Sequence, residues 1–264
     1  MISAIDFAIQ LARQTGQLLI EHFHSGDLQT SFKPDRSAVT NADVAADRLI
    51  NAAIREYEPN ALLMSEELQP CYPCDETVTV PQPVWIVDPL DGTTNFSLGL
   101  HIWGVLLARL VDGWTETAVL YFPLVDELYC AQRGQGAFLN GRPLKVVPPT
   151  AERPLSFFAC CARTFRKYQV SIPYKARILG SAAYSMCMVT RGASLLAFEA
   201  TPKIWDIASP WLLVQEAGGV IETLDGSQPF PLKPGVDYIR QSYPTLAAAT
   251  PDLAVRAHQQ IVPK

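Results

Sequence analysis

The chain has 264 residues, 48% apolar and 18% charged, with a formal net charge of −5. That balance describes a folded globular protein with ample length for a core and excludes a disordered chain. An acidic net charge without a Lys/Arg block argues against nucleic acid as the main partner, and no apolar run approaches the ~18 residues of a membrane span.

In chain order, Ile5, Ala8, Leu11, Ala12, Leu18 and Leu19 recur at helical spacing, so an amphipathic helix is predicted over 3–24. The first six residues, Met1 to Asp6, show no basic stretch followed by an apolar one, and a cytoplasmic location is expected. Thr40-Asn41-Ala42-Asp43 resembles a capping box with Asp in place of Glu/Gln, and Ala45, Ala46, Leu49, Ile50, Ala53 and Ile54 continue it as a second helix. A buried strand is predicted over 61–64, ending at Ser65-Glu66-Glu67, before a proline-rich loop from Leu68 to Pro83. Within that loop Cys71-Tyr72-Pro73-Cys74 lacks the second ligand pair of a zinc site, which leaves a redox-sensitive disulfide as the reading to test.

Val84 to Val87 read as a short buried strand that runs into Asp88, then Asp91. Gly92-Thr93-Thr94 follow, where a short helix is predicted to open with threonine capping its free N–H groups. Two carboxylates beside a helix N-terminus can hold divalent cations and a phosphate together. Strands over 101–111, 114–122 and 127–132, punctuated by Asp112-Gly113 and Asn140-Gly141, predict an antiparallel meander. Pro148-Pro149-Thr150 marks the expected boundary between an N-terminal α+β subdomain, 1–149, and a C-terminal α/β subdomain, 150–264. In the second, strands are predicted over 155–160, 176–179 and 193–198, and helices from Gly180 to about Thr190 and over 205–217. Asp206 is expected at or near the N-cap of the last of these, with Pro210 about one turn in. The tail from Pro251 to Lys264 is expected to form one surface helix.

Glu66, Asp88, Asp91 and Asp206 thus fall at strand ends or a helix start. Each alone reads as a cap or solvated turn. Clustered within ~4 Å, each pair would repel by roughly 4 kcal/mol at an effective dielectric of 20, so such a cluster calls for cations. Oxygen-only ligands select Mg²⁺ over Zn²⁺.

The string Asp88-Pro89-Leu90-Asp91-Gly92-Thr93-Thr94-Asn95-Phe96, with Trp205-Asp206-Ile207-Ala208 and Glu216-Ala217-Gly218-Gly219, resembles the two signatures of the inositol monophosphatase family. The resemblance extends to about residue 250. It implies a layered αβαβα sandwich of the sugar-phosphatase type, with a larger antiparallel sheet and a smaller mixed one, a homodimer, and a Mg²⁺-dependent phosphomonoesterase for a small phosphorylated substrate. By resemblance Glu66, Asp88, the Leu90 carbonyl, Asp91 and Asp206 would hold the metals. Gly92 and Thr93 would offer N–H groups to phosphate, and Thr93 with Asp43 would polarise the attacking water. Gly180, Ser181, Ala182, Glu199 and Asp206 would meet the substrate, and Lys33 would lie in a loop closing over the metals. Three departures stand out: Ser65 before the paired glutamates bears on strand-end geometry, Ser209-Pro210-Trp211 after the second signature on packing behind Asp206, and a 33–43 segment closer to the bisphosphate-nucleotidase and histidinol-phosphatase branches on the substrate. A non-catalytic regulatory binding protein on the same fold is the reading from another class.

Overall fold

The computed structural model describes residues 2–32, 38–67, 82–148 and 156–264; Lys33, Cys71 and Cys74 lie outside them. Helix α1 (Ala4–Ser25) begins where the Ser3 hydroxyl accepts the Asp6 N–H at 3.2 Å. A small antiparallel pair, β1 (Thr30–Phe32) and β2 (Ala38–Thr40), leads into α2 (Asn41–Tyr57). The predicted capping box is present: the Thr40 hydroxyl accepts from Ala42 and Asp43, and Asp43 accepts the Thr40 N–H at 2.8 Å.

A seven-stranded sheet follows: β3 (Leu62–Ser65), β4 (Val84–Asp91), then after α3 (Thr93–Ser97) β5 (Gly104–Val111), β6 (Trp114–Phe122), β7 (Glu127–Gln132), β8 (Gly136–Leu139) and β9 (Arg142–Leu144), neighbours in that order. The sheet is antiparallel from β4 onward, as expected of the larger sheet, while β3 at its edge runs parallel to β4. Parallel neighbours need a crossover of a dozen or more residues, and residues 66–83 supply the length. The β5–β6 turn has positive φ at both Asp112 (51°) and Gly113 (77°), the geometry that matches strand twist.

The second sheet interleaves with helices: β10 (Phe157–Cys160), α4 (Ala162–Lys167), β11 (Tyr168–Val170), β12 (Lys175–Arg177), α5 (Ala182–Thr190), β13 (Ser194–Glu199), α6 (Ile204–Glu216), β14 (Val220–Thr223), β15 (Thr245–Ala248), α7 (Pro251–Gln260) and β16 (Ile261–Pro263). Its order is β12-β10-β13-β15-β14, parallel over the first three strands and antiparallel thereafter. The tail is not one helix. Its last residues form β16, which pairs with β11.

Alternation along β5 shows how the layers are built. Val105 and Leu107 face α1 and α2 with Ala8, Leu19, Ile50 and Ile54, whereas Leu106 faces α5 and α6 with Ala183, Leu212 and Leu213. Those two helices also pack on the second sheet through Val189, Ile207 and Val214, and α7 joins that core through Leu253, Ala254 and Ala257. The molecule is an α+β layered αβαβα sandwich. Among the described residues no helix is long and apolar enough to cross a membrane.

Candidate active site

Strand β4 runs further than its apolar stretch suggests, carrying both Asp88 and Asp91 inside the sheet. Its register jumps from Asp88 opposite Leu106 to Asp91 opposite Gly104, so Pro89 and Leu90 face Val105 as a bulge. Proline lacks a ladder donor and is tolerated at such a site, which is why a strand was not expected to pass through it. Gly92 then turns with φ 91°, and a Cβ there would meet the Ile102 carbonyl oxygen at 2.9 Å, so only glycine fits. Gly92, not a threonine, is the N-cap of α3, and no side chain caps that helix.

The Thr93 hydroxyl sits 3.0 Å from Asp43 Oδ1 and 2.9 Å from the Leu90 carbonyl oxygen. Asp43 therefore serves twice. Its Oδ2 closes the α2 capping box, while Oδ1 faces Thr93. Burial raises its pKa, partly offset by the bonds from Thr40 and Thr93.

Asp206 is the third residue of α6, where it accepts the Lys203 N–H at 2.6 Å, rather than the N-cap itself. Pro210 consequently falls beyond the first turn and leaves the Asp206 carbonyl without its helical donor. The helix continues through it because Ile207, Ala208, Leu212 and Leu213 are packed between the two sheets.

Oxygens of Asp88, Asp91 and Asp206 all lie within 4.8 Å of one another. Asp88 Oδ1 accepts the Leu90 N–H at 3.0 Å, but its buried Oδ2 has no hydrogen-bond partner. Burial, reinforced by the charges of Glu66, Asp91 and Asp206, drives the Asp88 pKa well above the carboxylate range, and Asp206 is raised likewise. Asp91 is raised only to about 6, because hydrogen bonds oppose its burial. Those bonds come from the start of α5: the Ser181 hydroxyl, and the N–H groups of Ala182 at 3.2 Å and Ala183 at 3.1 Å. Ser181 and Ala182, expected at the substrate, thus also tether Asp91. The sequence carries no local sign of this clamp, which joins residues ninety apart. Asn95 was likewise missed as a positioning residue; its side-chain amide donates to the carbonyls of Ile102 at 2.7 Å and Leu179 at 2.8 Å.

Glu66, Leu90, Gly92 and Thr93 join the three aspartates in one acidic pocket of about 290 Å³. Beside it opens a cavity of about 720 Å³ whose lining combines apolar Leu100, Ile102, Ile178 and Leu179 with Gly180, Ser181, Ala182, Glu199 and Asp206. Glu199 is buried there and its pKa is pushed up to about 8 by desolvation, with the Ser185 and Cys161 side chains opposing through hydrogen bonds. An orphaned buried carboxylate oxygen inside an all-oxygen donor set fits a hard divalent cation.

This fold and its acid-lined cleft define a class. The family model described as the inositol monophosphatase family matches residues 2–260, and the chain belongs to that family. It is 33% identical to "Nus factor SuhB" of Pasteurella multocida, over 98% of this chain and 96% of the relative. It is 32% identical to "Histidinol-phosphatase" of Chlorobaculum parvum, over 86% of this chain and 88% of the relative. The crystal structure of the extragenic suppressor protein suhB from Bartonella henselae superposes with a TM-score of 0.79 at 27% identity, covering 98% of both chains.

Proposed function

We propose that the chain is a Mg²⁺-dependent phosphomonoesterase of small polyol or sugar phosphates, with inositol monophosphate the first candidate. The observation that carries this reading is the trio Asp88, Asp91 and Asp206 within 4.8 Å, with Asp88 Oδ2 orphaned beside the Thr93–Asp43 pair. Asp88, Asp91, Asp206, Glu66 and the Leu90 carbonyl would hold Mg²⁺. When bound, Mg²⁺ neutralises the carboxylates, polarises the phosphoryl oxygens and makes a water a better nucleophile. Thr93 donates its hydroxyl proton to Asp43 Oδ1, which turns an oxygen lone pair outward to accept a proton from the attacking water. The N–H groups of Gly92 and Thr93 face the scissile phosphate. Glu199, held protonated near neutrality by its burial, donates a hydrogen bond to a leaving-group oxygen in the larger cavity.

The working unit is proposed to be a cytoplasmic homodimer, by analogy with the family alone. Histidinol phosphate and adenosine 3′,5′-bisphosphate are the alternative substrates, the first supported by the Chlorobaculum relative's name. The Pasteurella relative is named a Nus factor, which keeps a regulatory binding role as the reading from another class. Phosphate release with Mg²⁺ from inositol 1-phosphate, fructose 1,6-bisphosphate, histidinol phosphate and adenosine 3′,5′-bisphosphate tests these readings, with Asp91→Asn as the blank. A preference names the substrate branch. No turnover above the blank on any of them would overturn the phosphatase reading, and a binding function would survive Asp91→Asn.

A further inference from the structure

Arg163 stands where the acidic pocket and the larger cavity meet, and lines both. Its backbone is fixed from the next residue, since buried Thr164 donates its hydroxyl to the Phe198 carbonyl at 3.3 Å. The side chain reaches across to Thr201, two residues beyond Glu199, and donates from Nη1 to the threonine hydroxyl at 3.0 Å. That bond uses one of five guanidinium donors. Among the described residues Arg163 has no ion pair, although it lines one pocket with Glu66, Asp88, Asp91 and Asp206. A tethered guanidinium with open donors suits bidentate capture of an oxyanion. The scissile phosphate already has the cation site and the N–H groups of Gly92 and Thr93. The donors of Arg163 are therefore open to a different part of the ligand.

We propose that Arg163 is a specificity-determining residue that reads a second oxyanion on the substrate, a phosphate or a carboxylate, separate from the phosphate being cleaved. This rests on the phosphatase reading above. The test is a pair of matched comparisons with Mg²⁺: fructose 1,6-bisphosphate against fructose 1-phosphate, and 3-phosphoglycerate against glycerol 3-phosphate. The protein is expected to favour the doubly anionic member of at least one pair by roughly tenfold or more in kcat/KM, mainly through KM. Which pair shows it identifies the second group. Arg163→Gln should collapse that ratio towards one, Arg163→Lys should restore part of it, and added salt should weaken it because the guanidinium is exposed. A ratio near one in both pairs, or a ratio unchanged by Arg163→Gln, would overturn the proposal while leaving the phosphatase reading intact. Equal loss on both members would also overturn it, placing Arg163 at the scissile phosphate or in folding. No turnover of any of the four esters would overturn the proposal, and turnover of inositol 1-phosphate measured alongside would show that the phosphatase reading still stands.

Discussion

Two clusters of carboxylates meet the same strand, β4, and are treated in opposite ways. Beside β4 and β5, Glu58 accepts from Trp85 Nε1 at 2.9 Å and from Arg109 at 2.8 and 3.0 Å, and Arg109 also pairs with Glu116. The bonds from Arg109 and Trp85 outweigh desolvation there and hold the Glu58 pKa below its usual value. At the other end of β4, among the described residues, no arginine or lysine forms an ion pair with the aspartate trio, although Arg163 lines the same pocket, and burial with mutual repulsion raises Asp88 and Asp206. The first cluster is neutralised by the protein's own cation and stabilises the fold. The second is destabilising as it stands, and its charge is left for a cation from solution.

The contrast can be broken most sharply by substitution at the trio. Asp88→Asn should lower kcat by at least about a thousandfold with Mg²⁺. In chelator it should raise Tm by roughly 5 °C, since one source of repulsion is removed. Glu58→Gln should do the reverse, leaving kcat within about twofold and costing about 1–3 kcal/mol in a urea titration, because Arg109 loses the more buried of its two carboxylate partners. Loss of stability in Asp88→Asn without metal would contradict the assignment of the trio as a strained cluster.

Next in size is the water-orienting pair. Thr93→Val should reduce kcat roughly a hundredfold with little change in Mg²⁺ affinity, read by steady-state kinetics at varied Mg²⁺. An equal loss of Mg²⁺ affinity would place Thr93 among the ligands instead.

The smallest effect is the pH dependence of stability. Asp91 titrates at about 6 in the folded protein, above the ordinary 3.8, so the native state holds more protons than the unfolded one between those values. Without metal this group's contribution to stability is largest below pH 4 and falls as pH rises to about 6. Mg²⁺ competes with the same protons, so the Tm increase on adding Mg²⁺ should be larger at pH 7.5 than at pH 5. Scanning calorimetry at the two pH values would check the sign.

Much of the site was legible because its donors belong to short strings. Asp88 to Phe96 and Trp205 to Ala208 each concentrate several roles in a few residues, and the Thr40–Asp43 cap follows from spacing alone. What was not legible came from distant parts of the chain or from prolines. Pro89 reads as a strand terminator, yet the bulge lets β4 pass through it. Pro210 reads as a helix-start residue, yet packing between two sheets holds α6 beyond it. The Ser181–Asp91 and Asn95–Leu179 bonds join residues 84 or more apart, and Arg163 carries no motif to single it out. Strands β14, β15 and β16 are three or four residues long, too short for alternation to announce them.

The claim at the centre is that Asp88, Asp91 and Asp206 form a cation site. The direct measurement is isothermal titration of Mg²⁺ into the metal-free protein and its Asp88→Asn variant, at pH 6 in two buffers of different ionisation heat. Saturable binding whose heat depends on the buffer, showing protons released from raised carboxyls, is expected for the native chain and should be lost or greatly weakened in the variant. Binding of equal strength in both proteins, or none in either, would contradict the claim.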